Sequence, residues 1–314
     1  MQISPHRYRQ VTIVALVALS IIIVTGAAVR LTNSGLGCDD WPNCSSERFV
    51  DVSSKHAAIE QINRLFTGVV GFAAIAAVLG AFVRTPRRRD LTTLSLLVAG
   101  GVVANAVLGG ISVLVDLHPL AVQGHLLLSM ALIVVGTMLV RRAGEPDGVE
   151  RVRAVSEPAQ RLTWILFALT WVALFTGTLV TGAGPHAGDE NAERLDLDIP
   201  SVARVHGATV IATIVVALMI AWRIRRREAG DATLAPAIST WLFVGILQAA
   251  VGYVQYLNDV PALLVGIHVG GATAVVWAST QVVLDTTRPQ VATVASTLDD
   301  TVPEREFSHR APAD

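Results

Sequence analysis

Three histidines and one asparagine, at related depths inside otherwise apolar stretches, are the residues most able to do chemistry: Asn63, His125, His206 and His268. A neutral imidazole can bind a metal without carrying a full charge into hydrocarbon. His206 and His268 each lie near the start of a stretch long enough to be a helix. If those two helices face one another, their rings can hold one haem iron from both sides, and a flat apolar porphyrin suits the interior of a helical bundle. The plainer reading of any single histidine here is a hydrogen bond between helices. Repetition of the pattern favours ligation. A proton relay usually recruits several carboxylates, and only Glu60 lies at comparable depth.

The repetition is an internal offset. His125 and His268 are 143 positions apart, as are Asn63 and His206, Gly109 and Gly252, and Asn105 and Gln248. Thr25-Gly26 matches Thr176-Gly177 at a slightly different offset, because the loops that follow differ in length. The first copy breaks the pattern, since Asn63 is a poor iron ligand. Glu60 lies one helical turn before it and Arg64 directly after. A haem there has one strong ligand, His125, and a second face lined by an amide and a carboxylate that can accept a proton. The alternative for Glu60 and Arg64 is an ion pair that orients the helix.

Composition says what must position these groups. The 314 residues are 52% hydrophobic and 16% charged, and the mean hydropathy is +0.55. Soluble domains carry about 25% charged residues, so this chain has too little polar surface to coat a water-soluble globule. Its net charge of −1 gives no footing for nucleic-acid binding. Crossing a bilayer takes about 20 apolar residues as helix. Eight segments qualify, at about 10–30, 58–83, 91–115, 120–140, 162–182, 201–222, 238–257 and 262–284. The expected fold is all-α and integral to the membrane: two four-helix bundles, 1–143 and 144–287, related by a pseudo-twofold axis along the membrane normal. The first segment is too long for a cleaved signal and lacks a small-residue cleavage site.

Arginines gather at one end of the helices: Arg7 and Arg9, 84–89, Arg141, Arg142, Arg151, Arg153 and Arg161, and 223–227. By the positive-inside tendency that end and both termini are cytoplasmic, and the loops near 31–57, 116–119, 183–200 and 258–261 face outward. Cys38 and Cys44 share the first outward loop, where they can form a structural disulfide, work as a redox pair or stay as thiols. His118 and His186 lie in or beside outward loops, with His118 next to Pro119 in a short connection that could shape a haem entrance. His6, His56 and His309 are expected to be solvated, and Trp41 to pack at the interface. The polar stretch 288–314 is expected to be a disordered cytoplasmic tail.

From Thr25-Gly26 through Arg30-Leu-Thr-Asn-Ser-Gly-Leu-Gly-Cys38-Asp-Asp-Trp-Pro-Asn-Cys44, the chain resembles the haem A synthases of cytochrome oxidase assembly. Further matches are Glu60-Gln-Ile-Asn-Arg64, His125, Gly182-Ala-Gly-Pro-His-Ala-Gly-Asp189, His206 and His268. The resemblance implies oxidation of a methyl group of haem O to a formyl group, giving haem A for terminal oxidases. It implies a permanent haem b between His206 and His268, and substrate haem O in the first half on His125. Glu60 would be the family's essential glutamate, and Cys38 and Cys44 its outward cysteine pair. It also implies lipid, haem O synthase and the oxidase assembly machinery as partners. Asn63 departs from the family, whose pattern has histidine there, so His125 alone is expected to ligate the substrate iron. A dihaem b electron carrier of the quinol oxidoreductase type is the competing reading, and a repeat-built transporter a more distant one.

Overall fold

The computed structural model describes residues 2–226 and 231–291. Eight long helices carry the chain: α1 Pro5–Leu31, α2 Lys55–Val83, α3 Arg89–Leu114, α4 Pro119–Ala143, α5 Glu157–Ala183, α6 Ile199–Arg225, α7 Ala235–Leu257 and α8 Ala262–Leu284. Each anticipated apolar run became one helix. All eight are long and apolar enough to cross a membrane. Local chemistry sets several of their starts. Ser4, Ser54, Ser156 and Asp198 accept hydrogen bonds from the first-turn N–H groups of α1, α2, α5 and α6, donors that lack partners within the helix.

α1 packs on α2 and α4, and α3 closes the ring by touching both α2 and α4; α5 to α8 repeat the arrangement. The two bundles meet where α1 and α4 lie against α8 and α4 meets α5. Thr273 Oγ1 stands 3.9 Å from Met130 Sδ. These residues occupy the same place in the two repeats, and equivalent positions touch only at the axis relating them. Each bundle has its own core. Leu19, Val98, Met130 and Ile133 fill the first, and Leu166, Ile220, Ile238 and Trp241 the second. Trp241 Nε1 donates to Ser279 Oγ at 2.8 Å, so its one polar atom is satisfied inside that core. Large apolar side chains such as Phe72 and Phe243 face outward, as bilayer-facing positions must.

The ends differ in construction. At the end bearing the arginine clusters, β1 (Val149–Arg153) pairs antiparallel with β2 (Thr287–Val291). Arg151 donates to Leu284 O at 2.9 Å and to Thr287 Oγ1 at 2.6 Å, and pairs with Glu145; Arg141 pairs with Asp285. The segment between the halves is thereby stitched to the end of α8. This corrects the expectation of disorder from 288 onward. Residues 288–291 are a strand because their backbone finds a partner in β1, while the rest of that tail, His309 included, lies outside the described residues. At the opposite, disulfide end the halves are joined by hydrogen bonds. Arg30 Nε donates to His186 O at 2.6 Å and Gly35 N to Gly188 O at 2.9 Å.

Candidate functional site

His206 and His268 face each other. Their ring centroids lie 6.4 Å apart with the planes at 78°. His206 is the eighth residue of α6 and His268 the seventh of α8, so both sit about two turns from the disulfide end. His206 Nδ1 lies 3.0 Å from Ala173 O. A carbonyl only accepts, so Nδ1 carries the proton and the Nε2 lone pair is left for a ligand. His268 Nδ1 is buried without a hydrogen bond of good geometry.

Glycines seat the rings. An ideal Cβ on Gly177 would lie 3.1 Å from His206 Cε1, and one on Gly252 would lie 2.8 Å from His268 Cε1. The buried residues of α6 begin at Thr213 and those of α8 at Thr273, while those of α7 end at Gly245. The fully buried residues of these three helices thus lie toward the arginine end, and none of them flanks the two histidines.

Among the described residues no three His, Cys, Asp or Glu side chains gather as an ion site. A bare transition-metal ion needs three or four protein ligands. Two opposed imidazoles suit a metal that brings its own equatorial ligands, as porphyrin iron does. With metal–nitrogen bonds of about 2 Å, rings on opposite sides of one metal have centroids about 6 Å apart, close to the spacing found. The donors, the spacing and the glycine cradle therefore fit haem.

The first half repeats three parts of this arrangement and changes the fourth. His125, the seventh residue of α4, places Nδ1 3.1 Å from Asn105 O, and a Cβ on Gly109 would lie 2.9 Å from its Cε1. On the facing helix stands Asn63. Thr25 Oγ1 lies 2.8 Å from Asn63 Oδ1, as Thr176 Oγ1 lies 3.2 Å from His206 Nδ1. The threonine contact survives while the ring is gone. Around Gly26, the counterpart of Gly177, a Cβ would meet nothing within 4 Å.

Glu60 and Arg64 form a buried clasp under the disulfide loop. Arg64 Nε and Nη2 donate to Glu60 Oε1 at 3.0 and 2.6 Å, and Cys38 N donates to Glu60 Oε2 at 2.8 Å. Arg64 also donates to the carbonyls of Asp40 and Asn43, both at 2.9 Å. Both Glu60 oxygens are therefore occupied. The pairing weighed from the sequence is present, with an unforeseen task of holding a loop. Cys38 and Cys44 form a disulfide within that loop. Trp41 lies on α3 at Gly110, where a Cβ would be 2.4 Å from its ring, so the loop roofs the first half at its disulfide end.

Three other histidines, His56, His118 and His186, have structural partners. His118 caps α4 and lies 3.7 Å from Glu193. His186 Nε2 donates to Val260 O at 2.8 Å, and exposed His56 is bonded to Ser34 at 2.9 Å. Several contributors escaped the sequence reading. Arg30 and Arg194 spend their hydrogen bonds on carbonyls of the last turn of α5 and of the loop after it, and Gln123 donates across the halves to Thr178 at 2.6 Å. The repeat had already marked Thr25, Gly26, Thr176 and Gly177, whose threonines contact Asn63 and His206.

Comparison with known proteins places this geometry. The heme A synthase of Bradyrhizobium diazoefficiens is 27% identical over an alignment of 328 positions, covering 86% of this chain and 88% of that protein. The heme A synthase of Lysinibacillus sphaericus is 26% identical, covering 54% of this chain and 56% of its own length. That of Listeria monocytogenes is 24% identical, covering 54% and 57%. The chain thus spans about half the length of the last two. The family model described as cytochrome oxidase assembly protein matches residues 9–188. That match takes in more than half of the chain, including the disulfide loop, its Glu60–Arg64 clasp and His125, and so the chain belongs to the COX15-CtaA family of cytochrome oxidase assembly proteins.

Proposed function

We propose that this protein is a haem A synthase, an oxidoreductase that converts a methyl group of haem O to the formyl group of haem A. The observation that carries the reading is the asymmetry of the repeat. One half opposes two imidazoles, and the other keeps one imidazole and replaces its partner with an amide. A site meant only to carry electrons needs its iron closed on both sides. A site that works on its haem needs the haem exchangeable and one side accessible.

In this reading His206 and His268 hold a resident haem b, which supplies one-electron redox chemistry when bound. The proton fixed on His206 Nδ1 orients that ring with its other nitrogen inward. His125 holds substrate haem O from the α4 side, its ring set by Asn105 O and Gly109. Glu60 and Arg64 keep the disulfide loop and Trp41 over the substrate bundle, limiting water there. Glu60 is the carboxylate available to take a proton, and it becomes available when its bond from Cys38 opens. The two halves, 1–143 and 144–287, divide substrate and cofactor between them. Both termini and the arginine-rich end are cytoplasmic, the protein sits in the cell membrane, and haem O synthase is the natural supplier of substrate.

The test is expression with and without a haem O supply, followed by haem extraction and mass analysis. Appearance of the formyl product supports the reading, and unchanged haem O favours the dihaem carrier. His206→Ala should remove the resident haem while leaving first-half haem in place, and loss of both would count against the division of roles.

A further inference from the structure

We propose that the Asn63 amide is a hydrogen-bond donor to a small exogenous ligand of diatomic size, bound on the side of the first-half iron away from His125. The inference rests on the reading of the first half as haem-bearing, and it adds a ligand class and a recognition group to that site.

Three observations meet at this position. The Thr25–Asn63 contact repeats the Thr176–His206 contact, so Asn63 occupies the place of a ligating histidine. The Thr25 hydroxyl has one proton and two acceptors in reach, Asn63 Oδ1 at 2.8 Å and Ile22 O at 3.3 Å. The shorter contact takes the proton. With Oδ1 held by Thr25, the NH2 group of the amide is turned elsewhere, and among the described residues it donates to no partner. Gly26, finally, has open space where Gly177 meets the His206 ring. The chain has kept the anchoring threonine and the glycine while removing the imidazole, and what remains is open space at Gly26 with the amide donor beside it.

A carboxamide is too weak a base to compete for iron, but its N–H groups stabilise a ligand whose outer atom accepts a hydrogen bond. Carbon monoxide and dioxygen are of this kind. A bis-histidine iron in the second half has no such vacancy. Ligand binding should therefore be confined to the first-half haem.

Carbon monoxide is the probe, added to the reduced, purified full-length protein carrying both haems. The wild type should bind it at one of the two haems. Asn63→His should abolish that binding and give a second six-coordinate low-spin spectrum. Asn63→Leu should still bind carbon monoxide, with a raised C–O stretching frequency and release roughly fivefold faster, the scale of one lost hydrogen bond. Should Asn63→Leu lose haem, Thr25→Val supplies the same readout, because it frees the amide to turn and shifts the frequency in the same direction. Protein with two haems that refuses carbon monoxide, or an unchanged frequency and release rate in both variants, overturns the proposal. Protein with haem only in the second half overturns the reading of the first half itself, and the two failures are told apart by haem content.

Discussion

Gly252 stands so close to His268 that an added Cβ would lie 2.8 Å from the ring's Cε1. The same relationship holds for Gly109 with His125 and Gly177 with His206, and it fails at Gly26. Gly252→Val should therefore push the His268 ring aside, with an overpacking cost of about 1–3 kcal/mol. Gly26→Ala should be tolerated, and by removing a helix-interior glycine should stabilise α1 by about 0.5–1 kcal/mol. Haem content and Tm of the two variants, in one detergent, check both signs. Equal haem loss in the two would contradict the distinction drawn between these glycines.

Arg64 and Glu60 share a largely buried ion pair whose side chains are 19% and 6% exposed. Arg64→Met strands the carboxylate and also releases the Asp40 and Asn43 carbonyls. The expected loss is about 3 kcal/mol, and Glu60→Gln added to it should recover part of that loss because both charges are then gone. Proteolysis of residues 38–54 should accelerate in the single variant. A loop equally resistant in wild type and Arg64→Met would mean that the clasp holds nothing.

The Cys38–Cys44 bridge closes a short loop, with a sequence separation of 6. In the chain-entropy account such a loop contributes about 2 kcal/mol, less than a long one. Cys38→Ser with Cys44→Ser should lower Tm accordingly, by less than Arg64→Met does. The ordering of the two variants is the decisive measurement, since it ranks covalent against electrostatic restraint on one segment.

At the other end, Arg151→Ala should loosen the β1–β2 pairing. It removes the bonds to Leu284 O and Thr287 Oγ1 and leaves Glu145 without that partner. Amide exchange within 149–153 and 287–291 should quicken about tenfold, equivalent to about 1.4 kcal/mol of local stability. Exchange in α6 and α7 should not change.

Much of this architecture could be read from residues alone, for identifiable reasons. The eight helices followed from apolar runs whose length the bilayer dictates. The repeat followed from a constant offset that links His125 to His268 and Gly109 to Gly252. The β1–β2 pair was missed because five-residue strands, one containing Pro289, carry almost no alternation. The hold of Arg64 on the disulfide loop was missed because it acts through the Asp40 and Asn43 carbonyls, and no sequence pattern records where a loop turns its carbonyls. The fit of glycine to imidazole lay between these cases. The residue types were visible, but their proximity depends on how closely the helices approach.

The equal placement of His125 and His268, each the seventh residue of its helix, has an electrical consequence. Two metal centres held there lie at one depth in the bilayer, so an electron passing between them moves parallel to the membrane plane. Moving a unit charge fully across the membrane involves about 2.3 kcal/mol per 100 mV of potential. Lateral transfer crosses almost none of that drop. Exchange between the proposed haem sites should then proceed at the same rate in energised and de-energised membranes, so the membrane potential would neither drive nor oppose it.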